Sequence, residues 1–268
     1  MKKKQSLTLI KLGGSIITHK DIPMSVRTDV LEQLVEQIAR AHKETGEQYI
    51  VGHGQGSFAH APAARYKTIE GFIHAESKMG MAITQDSAAQ LNRIVVSEFL
   101  RNELPAVSYM MSNTLVTDKR KKGHWDSQVL ESYLNDGLLP ITGGDVLSDT
   151  AQGCTIWSTE QVLALLADVF FKHPTYQVKR VIHVAEVAGV LDAEAAVVPH
   201  LTHANWPEIK KLIGKTKGFD VTGGMGHKIE ESLQLADRGV EVRIISGLQK
   251  DSVYSALLGQ ECGGTVIG

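Results

Sequence analysis

Four glycine-rich turns carry most of the chemistry legible in this chain: Gly13-Gly14-Ser15, Gly54-Gln55-Gly56-Ser57, Gly143-Gly144-Asp145 and Thr222-Gly223-Gly224-Met225. Glycine lets successive backbone N–H groups turn toward one point and lets an anion approach with no Cβ in the way. A helix opening directly behind such a turn adds the positive end of its dipole. One such turn is ordinary loop chemistry, but four at the ends of apolar runs point to phosphate binding. None fits GxxxxGK[ST] or GxGxxG, which disfavours a Walker-type kinase and a dinucleotide site.

Phosphates also need cations. Lys11 sits inside the first apolar run, directly before its glycine turn, and reads as functional against the alternative of a snorkelling edge position. Lys20 lies in the polar loop just beyond and, taken alone, is ordinary surface. Lys228 falls in the first turn of the helix that Thr222-Gly223-Gly224 opens; the dipole disfavours a cation there, so a bound anion or plain surface chemistry explains it. Of 11 histidines most are ordinary, but His60 lies four residues beyond Gly56. It either donates a hydrogen bond to a bound phosphate or caps and packs against the loop.

The elements that must hold these groups alternate. Leu7–Leu12 reads as a buried strand, Asp29–His42 as a helix stopped by Gly46, and Tyr49–Val51 as a second strand. A long helix follows from about Glu76 to Asn102, then strands at Ala106–Tyr109 and Leu138–Ile141, a hairpin, and a helix from Thr159 to Phe171. The last third repeats the pattern: strand Arg180–Ala185, helix Trp206–Leu212, a helix ending near Asp237, and strand Val240–Ile245. The expected fold is α/β, a three-layer sandwich around a mainly parallel central sheet. Ligands in such sheets sit beyond the carboxyl ends of the strands, where the glycine turns fall. Residues 1–268 are read as one domain with lobes of about 1–174 and 175–268, the boundary falling near Lys172–Gln177.

Composition narrows the function classes. Twenty-eight basic residues against 30 acidic ones give no electrostatic case for nucleic acid or a membrane surface. Cys154 and Cys262 are far apart and in no metal-like spacing, so a disulfide framework is not expected and a reducing cytoplasm is. The apolar run after the basic amino terminus is broken at once by Lys11, so a signal peptide is not expected, and no stretch reaches the roughly 20 residues of a membrane span.

Together, Lys11-Leu12-Gly13-Gly14-Ser15, the segment His53 to His60, and Asp220-Val221-Thr222-Gly223-Gly224-Met225 with Lys228 resemble the amino acid kinase family. His60 at the end of the HGxGSFxH segment resembles most the members that phosphorylate isopentenyl phosphate, and fosfomycin kinases share a comparable histidine. The resemblance implies transfer of the ATP γ-phosphoryl group to isopentenyl phosphate, with Mg²⁺ carried on ATP and a homodimeric assembly. It gives Lys11 and Lys20 the transferring phosphoryl group, with Lys20 as transition-state stabiliser. Gly13, Gly14, Ser15, Gly56, Glu160, Gly223 and Lys228 serve the nucleotide. Gly54, Gln55, Gly56, His60 and Thr159 serve the acceptor, and Asp145 orients the lysines. No residue is named as a metal ligand.

Three departures from the family pattern stand out. Gln55 replaces a small residue, Ser158-Thr159-Glu160 replaces Ser-Gly-Asp, and Ala185-Glu186-Val187-Ala188-Gly189-Val190 replaces Thr-Asp-Val-Asp-Gly-Val, with loss of a hydroxyl and one carboxylate. For a prenyl tail, Phe72, Met79, Met81 and Ile83 are candidates for an apolar pocket, against ordinary core packing. The competing readings are a kinase acting on fosfomycin, another phosphonate or a carboxylate, and a nucleotide-binding protein without turnover.

Overall fold

The alternation along the first strand, β1 (Gln5–Leu12), decides what Lys11 faces. Leu7 and Leu9 point into one core and Ile10 and Leu12 into the other. With side chains alternating, Lys11 lies on the Leu7 and Leu9 side, at the strand's carboxyl end. The computed structural model describes residues 4–192, 194–213 and 224–268.

The remaining strands are β2 (Gln48–His53), β3 (Ala106–Ser108), β4 (Leu115–Asp118), β5 (Lys121–Trp125), β6 (Leu139–Gly143), β7 (Asp145–Asp149), β8 (Gly153–Trp157), β9 (Tyr176–Ala185), β10 (His200–Leu201), β11 (Glu241–Ser246) and β12 (Thr265–Ile267). The helices are α1 (Gly14–Ile17), α2 (Thr28–Thr45), α3 (Gly56–Arg65), α4 (Ser77–Arg101), α5 (Gln128–Asn135), α6 (Thr159–Phe171), α7 (Trp206–Ile213), α8 (Gly224–Ala236) and α9 (Ser252–Leu258).

Among the described residues, eight strands form the main sheet in the order β10-β12-β11-β9-β1-β2-β6-β3, and a smaller sheet runs β5-β4-β7-β8. Of the described pairings in the main sheet, only that of β11 with β12 is antiparallel. One apolar core involves α5, α6, α7 and α8, and the other α2, α4 and α9. Helices on both faces of a mainly parallel sheet match the expected sandwich. β9 pairs along β1 from Tyr176 to Val184, with a register shift between Leu7 and Thr8.

Helix positions follow local signals. α2 buries Val30, Leu31, Leu34, Val35 and Ile38 and stops at Gly46, whose amide donates to His42 O at 2.8 Å. Each such fully buried side chain contributes roughly 1.5–3 kcal/mol. α6 starts in a capping box: Ser158 Oγ accepts from Gln161 N (3.2 Å) and Gln161 Oε1 from Ser158 N (2.9 Å). Cys154 and Cys262 are both buried and free. Among the described residues no helix is long and apolar enough to cross a membrane.

Candidate active site

The first two glycine turns interlock. A Cβ added at Gly14 falls 2.5 Å from Gly56 N, and one added at Gly54 falls 2.5 Å from Gly14 N. Gly56 itself adopts φ +49°, and a Cβ there falls 2.0 Å from Thr18 Oγ1. That hydroxyl donates to Gly14 O (2.7 Å) and accepts from Ser57 N (3.1 Å), tying α1 to the start of α3. Backbone approaches backbone here, which only glycine permits.

The third turn is fastened to the second. Thr159 Oγ1 donates to His53 O (2.7 Å) and accepts from Gly144 N (2.9 Å), while Gln55 Nε2 donates to Gly144 O at 2.5 Å. The Thr159 hydroxyl, read from sequence as an acceptor contact, is thus engaged in joining the loops. Gln55, where the family pattern has a small residue, bridges them with its side chain. Of the fourth turn, Gly223 and the side chain of Lys228 lie outside the described residues.

These loops surround a cavity of about 760 Å³. Among the residues expected from sequence, Lys11, Gly14, Ser15, Lys20, Gly54, Gln55, Gly56, His60, Asp145, Thr159 and Glu160 all line it. Gly13 does not; its amide donates to Val184 O at 2.9 Å and closes the β1–β9 pairing. His60, one turn into α3, is exposed at the cavity wall.

The lysines are held by carboxylates other than the one expected. Lys11 Nζ lies 2.5 Å from Glu160 Oε1, because α6 packs on the face of β1 that Lys11 shares with Leu7 and Leu9. Lys20 Nζ lies 3.4 Å from Glu186 Oε2, and Arg27 Nη1 lies 3.2 Å from the other oxygen. Asp145, expected to orient both lysines, instead accepts from the amides of Ser112 and Val146, each at 2.8 Å. The contact of Glu186 is invisible in sequence, since 166 residues separate it from Lys20.

The cavity also has an apolar part, which the candidates Phe72, Met79, Met81 and Ile83 do not line. Its wall is Ala59 and Ala63 of α3, Thr84 and Ala88 of α4, and Val146 and Ile156 facing each other across β7 and β8. On α4 the residues toward this space follow the row Thr84 and Ala88. Met79 and Ile83 stand on the row one position earlier and are 61% and 37% exposed. Phe72 packs over Gly153, outside the wall, and Met81 is half-buried outside it too.

Sequence reasoning also missed a polar chain behind the second turn, running from exposed Ser108 to buried Asn92 and His53. Ser108 Oγ donates to Asn92 Oδ1 (2.6 Å), and Asn92 Nδ2 donates to His53 Nε2 (3.1 Å). His53 Nδ1 therefore carries the proton and donates to Gly54 O (3.4 Å). Burial lowers the His53 pKa from 6.5 to about 4, and burial raises that of Asp145 from 3.8 to about 6.

The two shifts act oppositely on stability. Folded His53 resists the proton that the unfolded chain takes up, so its contribution is lost as pH falls from 6.5 to 4. Folded Asp145 favours the proton, so its contribution is present at low pH and lost as pH rises from 3.8 to 6. Each is worth roughly 3 kcal/mol, and they nearly cancel between pH 4 and 6. Asp145→Asn leaves His53 unopposed: relative to wild type, its unfolding free energy in urea drops by roughly 3 kcal/mol more from pH 6 to 4. A variant whose pH profile parallels the wild type contradicts this pairing.

With this geometry in hand, comparison with known proteins is direct. The family model of the amino acid kinase family matches residues 6–246. The chain belongs to the amino acid kinase family. Within this family, the isopentenyl phosphate kinase of Methanothermobacter thermautotrophicus is 31% identical, covering 97% of this chain and 98% of that protein. The isopentenyl phosphate kinase of Methanocaldococcus jannaschii is 29% identical over 95% of this chain and 96% of its own. An X-ray structure of isopentenyl phosphate kinase superposes with a TM-score of 0.81 at 28% identity, covering 98% of this chain and all of that one. This amino acid kinase chain is thus similar to those relatives over nearly its whole length.

Proposed function

We propose that this chain transfers the γ-phosphoryl group of ATP to isopentenyl phosphate, giving isopentenyl diphosphate and ADP. The observation that carries the reading is the mixed lining of one cavity. Lys11, Lys20, the glycine loops and His60 supply anion-binding groups, and Ala59, Ala63, Ala88, Val146 and Ile156 supply a small apolar surface. A short prenyl phosphate has that shape: a dianion on a branched hydrocarbon. The nearly full-length similarity to isopentenyl phosphate kinases supports it.

In this reading, an acceptor phosphate oxygen attacks the γ-phosphorus while the bond to the β–γ bridging oxygen breaks. The attacking oxygen is already ionised, so no side chain has to take a proton from it. Catalysis is positioning plus cationic stabilisation of the equatorial oxygens. Lys20 follows the transferring group; Lys11, aimed by Glu160, meets it from the sheet side. Gly13 supports the turn in which Gly14 and Ser15 offer amides to the nucleotide phosphates, and the family resemblance assigns Gly223 and Lys228 to the same phosphates. Gly54, Gln55, Gly56 and His60 receive the acceptor phosphate, with Thr159 fixing the loop. Asp145 holds the Ser112 and Val146 backbone beside the apolar surface.

A Mg²⁺ carried by ATP oxygens and water would neutralise phosphate charge in this reaction, and no side chain is assigned to it.

Incubation with ATP–Mg²⁺ and separate acceptors, namely prenyl phosphates, fosfomycin and amino acids, tests the reading. Isopentenyl diphosphate is the expected product; robust turnover of another acceptor with none from isopentenyl phosphate ends it. His60→Ala is expected to raise KM for isopentenyl phosphate about tenfold and to lower kcat, while ATP affinity survives, as for loss of one charge-assisted contact. An unchanged kcat/KM removes His60 from the site.

A further inference from the structure

Lys20 rides on the loop between α1 and α2, and that loop is fastened on two sides. Its base closes through the Thr18–Val26 bridge and Arg27 N donating to Ile17 O at 2.9 Å. Toward α3, Met24 N donates to Ser57 O (3.2 Å) and Ser25 N to Ser57 Oγ (3.4 Å). On the other side stands Glu186, the first residue after β9. Its two carboxylate oxygens are divided, one to Arg27 and one to Lys20. Its own carbonyl accepts from Ser246 Oγ (3.4 Å), which links it to the end of β11.

We propose that Glu186 is a positioning residue for Lys20, acting with Arg27 as its anchor. The proposal rests on the phosphoryl-transfer reading above and adds to it a residue that acts through Lys20. Lysine is a point charge on a flexible four-carbon stem, and Lys20 is two-thirds exposed. Arg27, whose side chain is 22% exposed, holds one Glu186 oxygen from the base of the same loop. The other oxygen is thereby aimed at the Lys20 ammonium, which restrains it at the cavity mouth. When a phosphoryl group takes up Lys20, Arg27 still neutralises Glu186, so the release leaves no unpaired carboxylate. The exposed pair adds little to fold stability; its effect lies in fixing where the ammonium waits.

A double-mutant cycle tests this. Glu186→Gln is expected to lower kcat about tenfold with KM for ATP within twofold of wild type, and Glu186→Asp to recover part of the loss. In a Lys20→Ala background, Glu186→Gln changes kcat less than twofold. An equal loss in both backgrounds, or none in the wild-type background, overturns the proposal. The same cycle is read acceptor-free as Kd for a non-hydrolysable ATP analogue by calorimetry, where Glu186→Gln weakens binding about twofold only when Lys20 is present. Coupling in Kd without turnover of isopentenyl phosphate by the wild type overturns the functional reading alone, whereas no coupling in either measurement overturns the role of Glu186.

Discussion

Lys20→Ala lowers kcat for phosphoryl transfer by about two to three orders of magnitude, the scale of losing one preorganised charge contact to a transition state. The ground state explains why the loss is confined to kcat. Lys20 is 67% exposed and pairs with Glu186 at 3.4 Å, a contact that solvent screens, so its removal leaves the melting temperature within about 2 °C. Charge develops on the equatorial oxygens only as the phosphoryl group moves between the two bound anions, and a flexible ammonium at the cavity mouth follows it. KM for ATP therefore shifts less than about threefold. Steady-state kinetics decides this: a variant with wild-type kcat and weakened ATP binding contradicts the role.

Gly14→Ala has the second large effect, on stability and turnover together. The new Cβ meets Gly56 N at 2.5 Å, Gly56 Cα at 2.9 Å and Gly54 C at 3.1 Å, all backbone atoms that cannot swing aside. The two loops must part, which costs about 3 kcal/mol or more and pulls the amides of both turns off their common target. Turnover falls at least about 100-fold, since displacements near 1 Å already cost that much. Gly137→Ala is the contrast, with φ +74° but open space around it; only backbone strain of about 1–2 kcal/mol applies and turnover stays normal. Urea denaturation and turnover assays on both variants separate crowding from strain. Equal destabilisation of the two, or wild-type turnover in Gly14→Ala, contradicts the interlocked-loop account.

What could be read from the sequence follows from whether a signal is local. The run Leu7–Leu12 before Gly13-Gly14-Ser15, the Gly46 stop and the Ser158 cap with Gln161 at its third position are contiguous, and the helices at Thr28–Thr45 and Thr159–Phe171 stand where they point. β10 and β12 span two and three residues, too few to show a period. β5 is exposed through most of its length, so its Lys121-Lys122-Gly123-His124 stretch carries no apolar alternation. Within the site, the glycine turns, Lys11 and His60 stand out because their residue types are unusual where they stand, whereas Lys20 entered only through the family resemblance. The apolar wall was not: Ala59, Ala63 and Ala88 look like plain helix formers, while Phe72 and Met79 attract attention by size yet face away. Pairings such as Lys20 with Glu186, or Asn92 with His53, depend on which strands become neighbours, which no local pattern encodes.

In the proposed reaction ATP and a prenyl phosphate occupy one cavity end to end, their phosphates meeting between Lys11, Lys20 and His60. An inhibitor joining adenosine to an isopentenyl group through a single polyphosphate chain, assayed against each substrate in turn, tests it most directly. Competition against both ATP and isopentenyl phosphate, with affinity well beyond that of either alone, is the predicted result. Competition against only one of them, with the other still binding normally, contradicts it.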